Sequence, residues 1–176
     1  MRIISGKHKG RRILAPRKLP VRPTTDRSKE GLFNLLQHRI DISQIEVLDL
    51  FAGTGNISYE FASRGTKRLT AVDQNRHCIR FIQNTAKELG IEVATIQKDS
   101  IQFLEQNKDL FHLIFADPPY AFDFDSYNKI IDLSIPKLHE DGFLILEHFK
   151  QYDFSKLEYF VFSRGYGSTV FSFFSH

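Results

Sequence analysis

The chain has 176 residues, of which 41% are hydrophobic and 26% are charged, and a formal net charge of +3. This length is typical of a single domain that buries roughly 70% of its unfolded surface, and one cysteine, Cys78, excludes a disulfide framework and a cysteine-based zinc cluster. No apolar run approaches the roughly 20 residues of a membrane helix, and the start lacks a signal-peptide pattern, so we expect a reduced, cytoplasmic protein.

The N-terminal segment is strongly basic. Residues 1–29 hold ten of the 24 Lys and Arg residues and one of the 21 Asp and Glu residues, which splits the net charge into +9 here and −6 in the rest. Such a segment is typical of polyanion binding, because phosphate contacts supply affinity that is independent of sequence. Apolar residues around Gly6 and Gly10 predict a hairpin. We therefore predict a basic arm over residues 1–23 and a domain over residues 24–176. The candidate polyanion contacts are Lys7, Lys9, Arg11, Arg12, Arg17, Lys18, Arg22 and Arg27.

The remaining chain alternates helical patterns with short, nearly continuous apolar runs. Caps at 24–26 and an apolar stripe predict a helix over about 24–39. The predicted strands are 47–51, 69–73, 93–96, 111–116 and 143–146, and the predicted helices are 57–64, 75–89, 101–107 and 127–138. Residues 159–162 and 169–174 predict a terminal antiparallel hairpin. This order indicates an α/β, doubly wound, Rossmann-like fold whose seven-stranded sheet is mostly parallel.

A glycine turn follows the first predicted strand. The segment from Asp49 to Gly55 contains Gly53 and Gly55, and glycines there let the backbone turn tightly and approach a ligand closely. Asp73 ends the next strand, where a carboxylate can accept both hydroxyls of a ribose. The third glycine of the dinucleotide fingerprint is missing and no second glycine turn follows, which argues against NAD.

A rigid tetrapeptide, Asp117-Pro118-Pro119-Tyr120, ends the fourth predicted strand. The two prolines fix φ and remove two backbone donors, which leaves the Asp117 carboxylate and nearby carbonyls as fixed acceptors. Acceptors that hold both N–H groups of a base amine help to localise its lone pair and stabilise the charge that develops on nitrogen. Tyr120 adds a ring on which an extrahelical base can stack. A plain rigid turn is the alternative interpretation.

These two segments resemble motifs of the class I S-adenosylmethionine (SAM) methyltransferases. The acid–x–aromatic–x–Gly–x–Gly pattern at 49–55 resembles their first motif, and the tetrapeptide resembles the (Asp/Asn)-Pro-Pro-(Tyr/Phe) signature of enzymes that methylate adenine N6 or guanine N2. The resemblance implies SAM as cofactor, with Asp99 reaching the adenine amine, although Asp99-Ser100 can equally be a helix cap. The implied cofactor-binding residues are Asp49, Phe51, Gly53, Thr54, Gly55, Asp73, Asn75, Asp99 and Ser100.

A closer resemblance covers nearly the whole chain. The segments 2–12, 22–27, 32–34, 49–55, 63–65 and 117–120 are similar to those of the bacterial small-subunit rRNA guanine-N2 methyltransferases of the RsmD type. The resemblance implies that the arm contacts RNA and that Arg22, Thr24 and Arg27 lie near the active site. The implied catalytic residues are Asp117, Pro118, Pro119 and Tyr120.

The sequence predicts methyl transfer from SAM to N2 of a guanine in 16S rRNA. The alternatives are an adenine-N6 methyltransferase on RNA or DNA, a catalytically idle RNA-binding assembly protein, and a small-molecule methyltransferase, which the basic arm disfavours. We expect rRNA or an assembly intermediate of the small subunit as partner, a monomer, and neither a metal nor a membrane.

Overall fold

The computed structural model describes residues 1–16, 19 and 25–176, which form one sheet with helices on both faces. The strands are β1 (Glu46–Leu50), β2 (Arg68–Asp73), β3 (Ala94–Gln97), β4 (Phe111–Ala116), β5 (Leu138–Phe149), β6 (Phe160–Tyr166) and β7 (Thr169–Phe174). The helices are α1 (Asp26–Leu36), α2 (Asn56–Ser63), α3 (Arg76–Leu89), α4 (Ser100–Gln106) and α5 (Phe124–Ser134). Two short 3-10 turns lie at Ile42–Gln44 and Ile135–Lys137.

The sheet has the order β3-β2-β1-β4-β5-β7-β6. Strands β1 to β5 run parallel, and β7 lies antiparallel between β5 and β6. This arrangement confirms the predicted seven-stranded, mostly parallel sheet with a terminal hairpin. The strand order reverses between β1 and β4, and ligands of such sheets bind outside the carboxyl ends of the strands at that point.

Each face of the sheet is covered by its own helices. On one face, α4 and α5 pack Leu104 and Ile130 against the buried Leu48 of β1. On the other face, α1 and α2 pack Phe33 and Phe61 against neighbouring strands, with the two rings 4.7 Å apart. Alternate residues of a strand therefore point to different helices, and this assigns every side chain at a strand end to one face.

The prediction for 127–138 is wrong at both ends. Helix α5 begins at Phe124, because Asp123 caps it by accepting from Ser126 N. It ends at Ser134, where Pro136 lies in a 3-10 turn, and Leu138 already begins β5. Proline cannot continue the helical hydrogen-bond ladder, so the apolar pattern over 135–138 belongs to a turn and a strand. The first helix is likewise shorter than predicted and ends at Leu36.

The described first part of the basic arm, residues 1–13, forms a hairpin, as its sequence pattern indicated. Arg2 and Arg12 form an antiparallel bridge, and Ile3 N donates to Arg11 O at 3.0 Å. Ile3 and Ile13 are buried beside Tyr59 of α2, so the apolar residues of the arm fix it to the domain. Among the described residues, no helix is long and apolar enough to cross a bilayer.

Candidate active site

A cavity of about 570 Å³ lies at the carboxyl ends of β1, β2, β3 and β4. Leu19 of the basic arm also lines this cavity. The structure brings twelve of the predicted site residues to its wall: Asp49, Phe51, Gly53, Thr54, Asp73, Asn75, Asp99, Ser100, Asp117, Pro118, Pro119 and Tyr120. Gly55 is not among the lining residues; it begins α2 with a φ of +80°, and a side chain there would collide with Tyr59.

The loop after β1 is bent around this cavity. Phe51 has a φ of +65°, a conformation that a bulky residue rarely adopts and that no other non-glycine residue of the described chain shows. Such backbone strain is found mostly at functional sites. Asp73 fixes the loop, because one carboxylate oxygen accepts from Gly53 N at 2.8 Å and the other from Asn75 N at 2.7 Å. Asp73 therefore orders two loops that line the cavity.

Asp49 gives this cavity its most perturbed charge. The side chain is buried and accepts a hydrogen bond from Ser58 Oγ. Burial, opposed by the Ser58 hydrogen bond and aided by the charge of Asp73, raises the pKa of Asp49 to about 7. A positively charged ligand in the cavity would stabilise the ionised form of Asp49. The carboxylates of Asp49 and Asp73 therefore fit a cofactor that carries a cationic amine and a sulfonium.

Asp99 has the capping role that its sequence position allowed. Its side chain accepts from Gln102 N at 3.0 Å and so begins α4. Asp99 and Ser100 also line the cavity, and their contact with a cofactor remains a prediction.

The Asp117–Tyr120 turn is shared between two cavities. The second cavity, of about 140 Å³, is lined by Asp117 and Tyr120 together with Arg27 and Glu147. The ring of Tyr120 is half exposed and stacks on Phe149, with centroids 4.4 Å apart and planes inclined by 28°. Sequence reasoning missed Glu147 and Phe149, because both belong to β5 and reach the site only through strand pairing.

A buried lysine connects α1, α2 and the arm. Lys29 is 1% exposed, and its Nζ donates to Arg2 O at 2.7 Å and to Asn56 Oδ1 at 2.9 Å. Asn56 lines the large cavity at the start of α2. Burial lowers the pKa of Lys29, and the charge of Glu60 opposes this effect.

Glu60 of α2 completes the buried cluster. Its carboxylate accepts from Ile4 N at 2.8 Å and Ser5 N at 3.1 Å, and it lies 3.4 Å from Lys29 Nζ. Arg64 donates to the same group at 3.0 Å. Charged side chains of α1 and α2 thus hold the start of the arm. The sequence alone did not distinguish these side chains from those of a solvated helix face.

The predicted polyanion contacts fall into three groups. Lys7, Lys9, Arg11 and Arg12 are exposed on the arm. Arg27 is exposed and lines the second cavity. Arg17, Lys18 and Arg22, like Thr24, lie outside the described residues.

Two histidines that are distant in sequence come together at the opposite end of the sheet. Glu46, His112 and His139 place their potential ligand atoms within 4.8 Å of one another. His112 Nδ1 accepts from Glu46 N, and the Glu46 carboxylate accepts from Arg68 at 3.1 Å. The cluster lies at the amino ends of β1, β4 and β5, at the edge of the sheet opposite to both cavities.

The chain is similar to several known proteins. The family model described as Conserved hypothetical protein 95 matches residues 1–175. Ribosomal RNA small subunit methyltransferase D of Escherichia coli K12 is 31% identical over 82% of this chain and 69% of its own length, and its Haemophilus influenzae counterpart is 34% identical over 70% and 65%.

A solved hypothetical protein from Thermus thermophilus has the same fold, with a TM-score of 0.87 and 24% identity over 100% of this chain and 99% of its own. The cofactor of this family is SAM, as the resemblance of residues 49–55 to the methyltransferase motif implied. The chain belongs to the family described as Conserved hypothetical protein 95, which comprises RsmD-type class I SAM-dependent methyltransferases.

Proposed function

We propose that this protein transfers a methyl group from SAM to the exocyclic N2 of a guanine in 16S rRNA. The relatives named ribosomal RNA small subunit methyltransferase D support an rRNA substrate. One observation carries the proposal: the Asp117–Tyr120 turn lines both the large cavity and the smaller one beside it. A cofactor in the first and a base in the second would meet at Asp117. The reaction belongs to the cytoplasm, where small ribosomal subunits are assembled.

The large cavity holds the cofactor through its acidic residues. We assign Asp49 to the cationic end of SAM, Asp73 to the ribose and Asp99 to the adenine. When bound, SAM supplies a methyl group that leaves a positively charged sulfur for the base nitrogen. Asp73 also keeps Gly53 and Asn75 in place, so the loops are ordered before the cofactor binds.

Asp117 acts on the base amine. An exocyclic amine is a weak nucleophile, because its lone pair is delocalised into the ring. The Asp117 carboxylate accepts an N–H of this amine and stabilises the positive charge that develops on nitrogen, and the surplus proton then passes to water. Pro118 and Pro119 contribute rigidity, since they fix φ and present no backbone N–H to Asp117.

Tyr120 receives the base as a stacking surface. Phe149 covers one face of the ring, which holds the ring at a fixed tilt. A base inside a duplex cannot reach this turn, so the target guanine must be extrahelical. The exposed cations of the arm supply phosphate contacts that hold the surrounding RNA.

The test is the Asp117→Ala variant, assayed on 16S rRNA from cells that lack the gene. We expect methyl transfer to fall by roughly 100-fold or more, because one charge-stabilising acceptor is lost, while SAM affinity measured by calorimetry changes little. Asp125→Ala, which removes an exposed carboxylate of α5, is the matched control and should retain full activity.

The product decides between the alternatives. Mass spectrometry of nucleosides from the treated rRNA should show N2-methylguanosine. N6-methyladenosine would make the protein an adenine methyltransferase, and the absence of any methylated base would support an idle assembly protein. Equal loss of SAM binding and methyl transfer in Asp117→Ala would overturn the role given to Asp117.

A further inference from the structure

We propose that Glu147 determines base specificity, because it accepts the N1–H of guanine while Asp117 accepts the N2 amine. The inference rests on the proposed function and adds the residue that distinguishes guanine from a purine without a proton on N1. It assigns the smaller cavity to the Watson–Crick edge of the target base.

The strand register places the two carboxylates side by side. In the parallel pair of β4 and β5, Ala116 lies opposite Leu146. Asp117 is the first residue after the end of β4 and lines the smaller cavity together with Glu147, and adjacent strands are about 4.8 Å apart. Glu147 follows Leu146 in β5, so it points to the opposite face of the sheet from Leu146. This is the face covered by α1, whose first turn contributes Arg27 to the same cavity.

The two groups share one electrostatic environment. Glu147 is 8% exposed, so its carboxylate is largely shielded from water. The charges of both groups act on Tyr127. Its pKa is raised to about 12, first by burial and then by the charges of Tyr152, Asp117, Tyr120 and Glu147. Both carboxylates line the smaller cavity, where a ligand that presents two hydrogen-bond donors can bind to them.

Guanine presents that pattern and adenine does not. Ionised carboxylates only accept hydrogen bonds. The Watson–Crick edge of guanine carries two adjacent donors, N1–H and the N2 amine, whereas adenine has one donor beside the N1 lone pair. Adenine would therefore place a lone pair against Glu147, which is a repulsive contact. The guanidinium of Arg27 lines the same cavity and is the matching donor for guanine O6.

The test replaces the N1 proton without removing the amine. The target position is first mapped by mass spectrometry of ribonuclease fragments of the methylated rRNA. At that position 16S rRNA is prepared with guanine or with 2-aminopurine, which keeps the amine on C2 and has a lone pair on N1. We expect the protein to prefer guanine by about 10- to 100-fold in kcat/KM, because 2-aminopurine loses the N1–H contact to Glu147 and also the O6 contact to Arg27.

In Glu147→Gln this preference should shrink several-fold, because an amide can either accept from N1–H or donate to the N1 lone pair, and the O6 contact to Arg27 accounts for the preference that is left. Binding provides a second readout. The fluorescence of the 2-aminopurine RNA, titrated in the presence of S-adenosylhomocysteine, should report tighter binding by Glu147→Gln than by the unchanged protein. Glu140→Gln, at an exposed position of the same strand, should leave both quantities unchanged.

Two results would overturn the role of Glu147. One is an unchanged protein that methylates both bases equally, and the other is a Glu147→Gln variant that loses activity on both by the same factor, which indicates a structural role. Failure of the proposed function looks different, since no guanine-containing rRNA would then be methylated at N2 by the unchanged protein.

Discussion

At the level of single residues, the side chain most sensitive to its surroundings is Asp49. It lies near the end of the buried strand β1 and is itself buried, and its pKa is raised to about 7 mainly by this burial. Ser58 stabilises the ionised form by a hydrogen bond but does not restore the usual pKa. A cofactor that carries positive charge must therefore displace a proton from Asp49 at acidic pH.

The affinity for SAM should consequently depend on pH. Below pH 7 the carboxyl is mostly protonated, so binding releases a proton, and the affinity rises as the pH approaches the pKa. Between about pH 5.5 and pH 7 we expect a rise of roughly tenfold, measured by calorimetry in buffers of different ionisation enthalpy.

The Asp49→Asn variant provides the comparison, because an amide has no proton to release. It should bind SAM more weakly and with a nearly flat pH profile over the same range. A flat profile for the unchanged protein, without proton release, would show that Asp49 does not interact with the cationic part of the cofactor.

At the level of elements, the arm, α1 and α2 form a unit held together by buried charge. Lys29 of α1 and Glu60 of α2 are both almost fully buried, and each also binds backbone groups of the arm. A buried ion pair adds little net stability, but the removal of one partner leaves an uncompensated charge inside the protein. Through this pair, the position of the arm depends on α2, the helix that follows the loop after β1.

Glu60→Gln should destabilise the protein by about 3–5 kcal/mol, because Lys29 then lies buried without an opposite charge. The measurement is urea unfolding, and cleavage by trypsin after Lys7 and Lys9 under native conditions should become faster. Glu105→Gln breaks the half-exposed pair with Lys129, 3.0 Å long, and should cost less than about 1 kcal/mol. Equal effects of the two substitutions would mean that Glu60 does not anchor the arm.

The elements also show how far the sequence predicts this structure. Buried strands could be predicted because parallel strands are apolar on both faces, and the acidic or glycine residues at their ends pointed to the cavity. The ends of α5 and the start of β5 were predicted incorrectly, since Pro136 and the long β5 interrupt an apparently helical pattern. No sequence pattern marked Glu147 and Phe149 as site residues, because only the pairing of β5 with β4 brings them to the Asp117–Tyr120 turn.

At the level of the whole molecule, the exposed positive charge of the arm is separated from the large cavity. The exposed cations of the arm lie on a hairpin that packs on α2, whereas the cavity is lined mainly by acidic, apolar and small residues. Such a separation fits a large polyanionic substrate whose backbone is held at one place while a single base enters another. RNA affinity should then depend on the arm, and methyl transfer on the cavity.

This division can be tested by the salt dependence of RNA binding. Each phosphate contact to a single strand contributes about −0.7 to the slope of log K against log salt concentration, because counterions are released. The substitution of Lys9, Arg11 and Arg12 by Ala should therefore weaken binding of an unmodified 16S rRNA transcript and reduce the slope by up to about 2. A variant with Lys87, Lys108 and Lys129 changed to Ala loses the same charge outside the arm and should keep a nearly normal slope. If both variants lose the same slope, the arm has no special role in binding, and binding that does not respond to salt would indicate a small-molecule substrate.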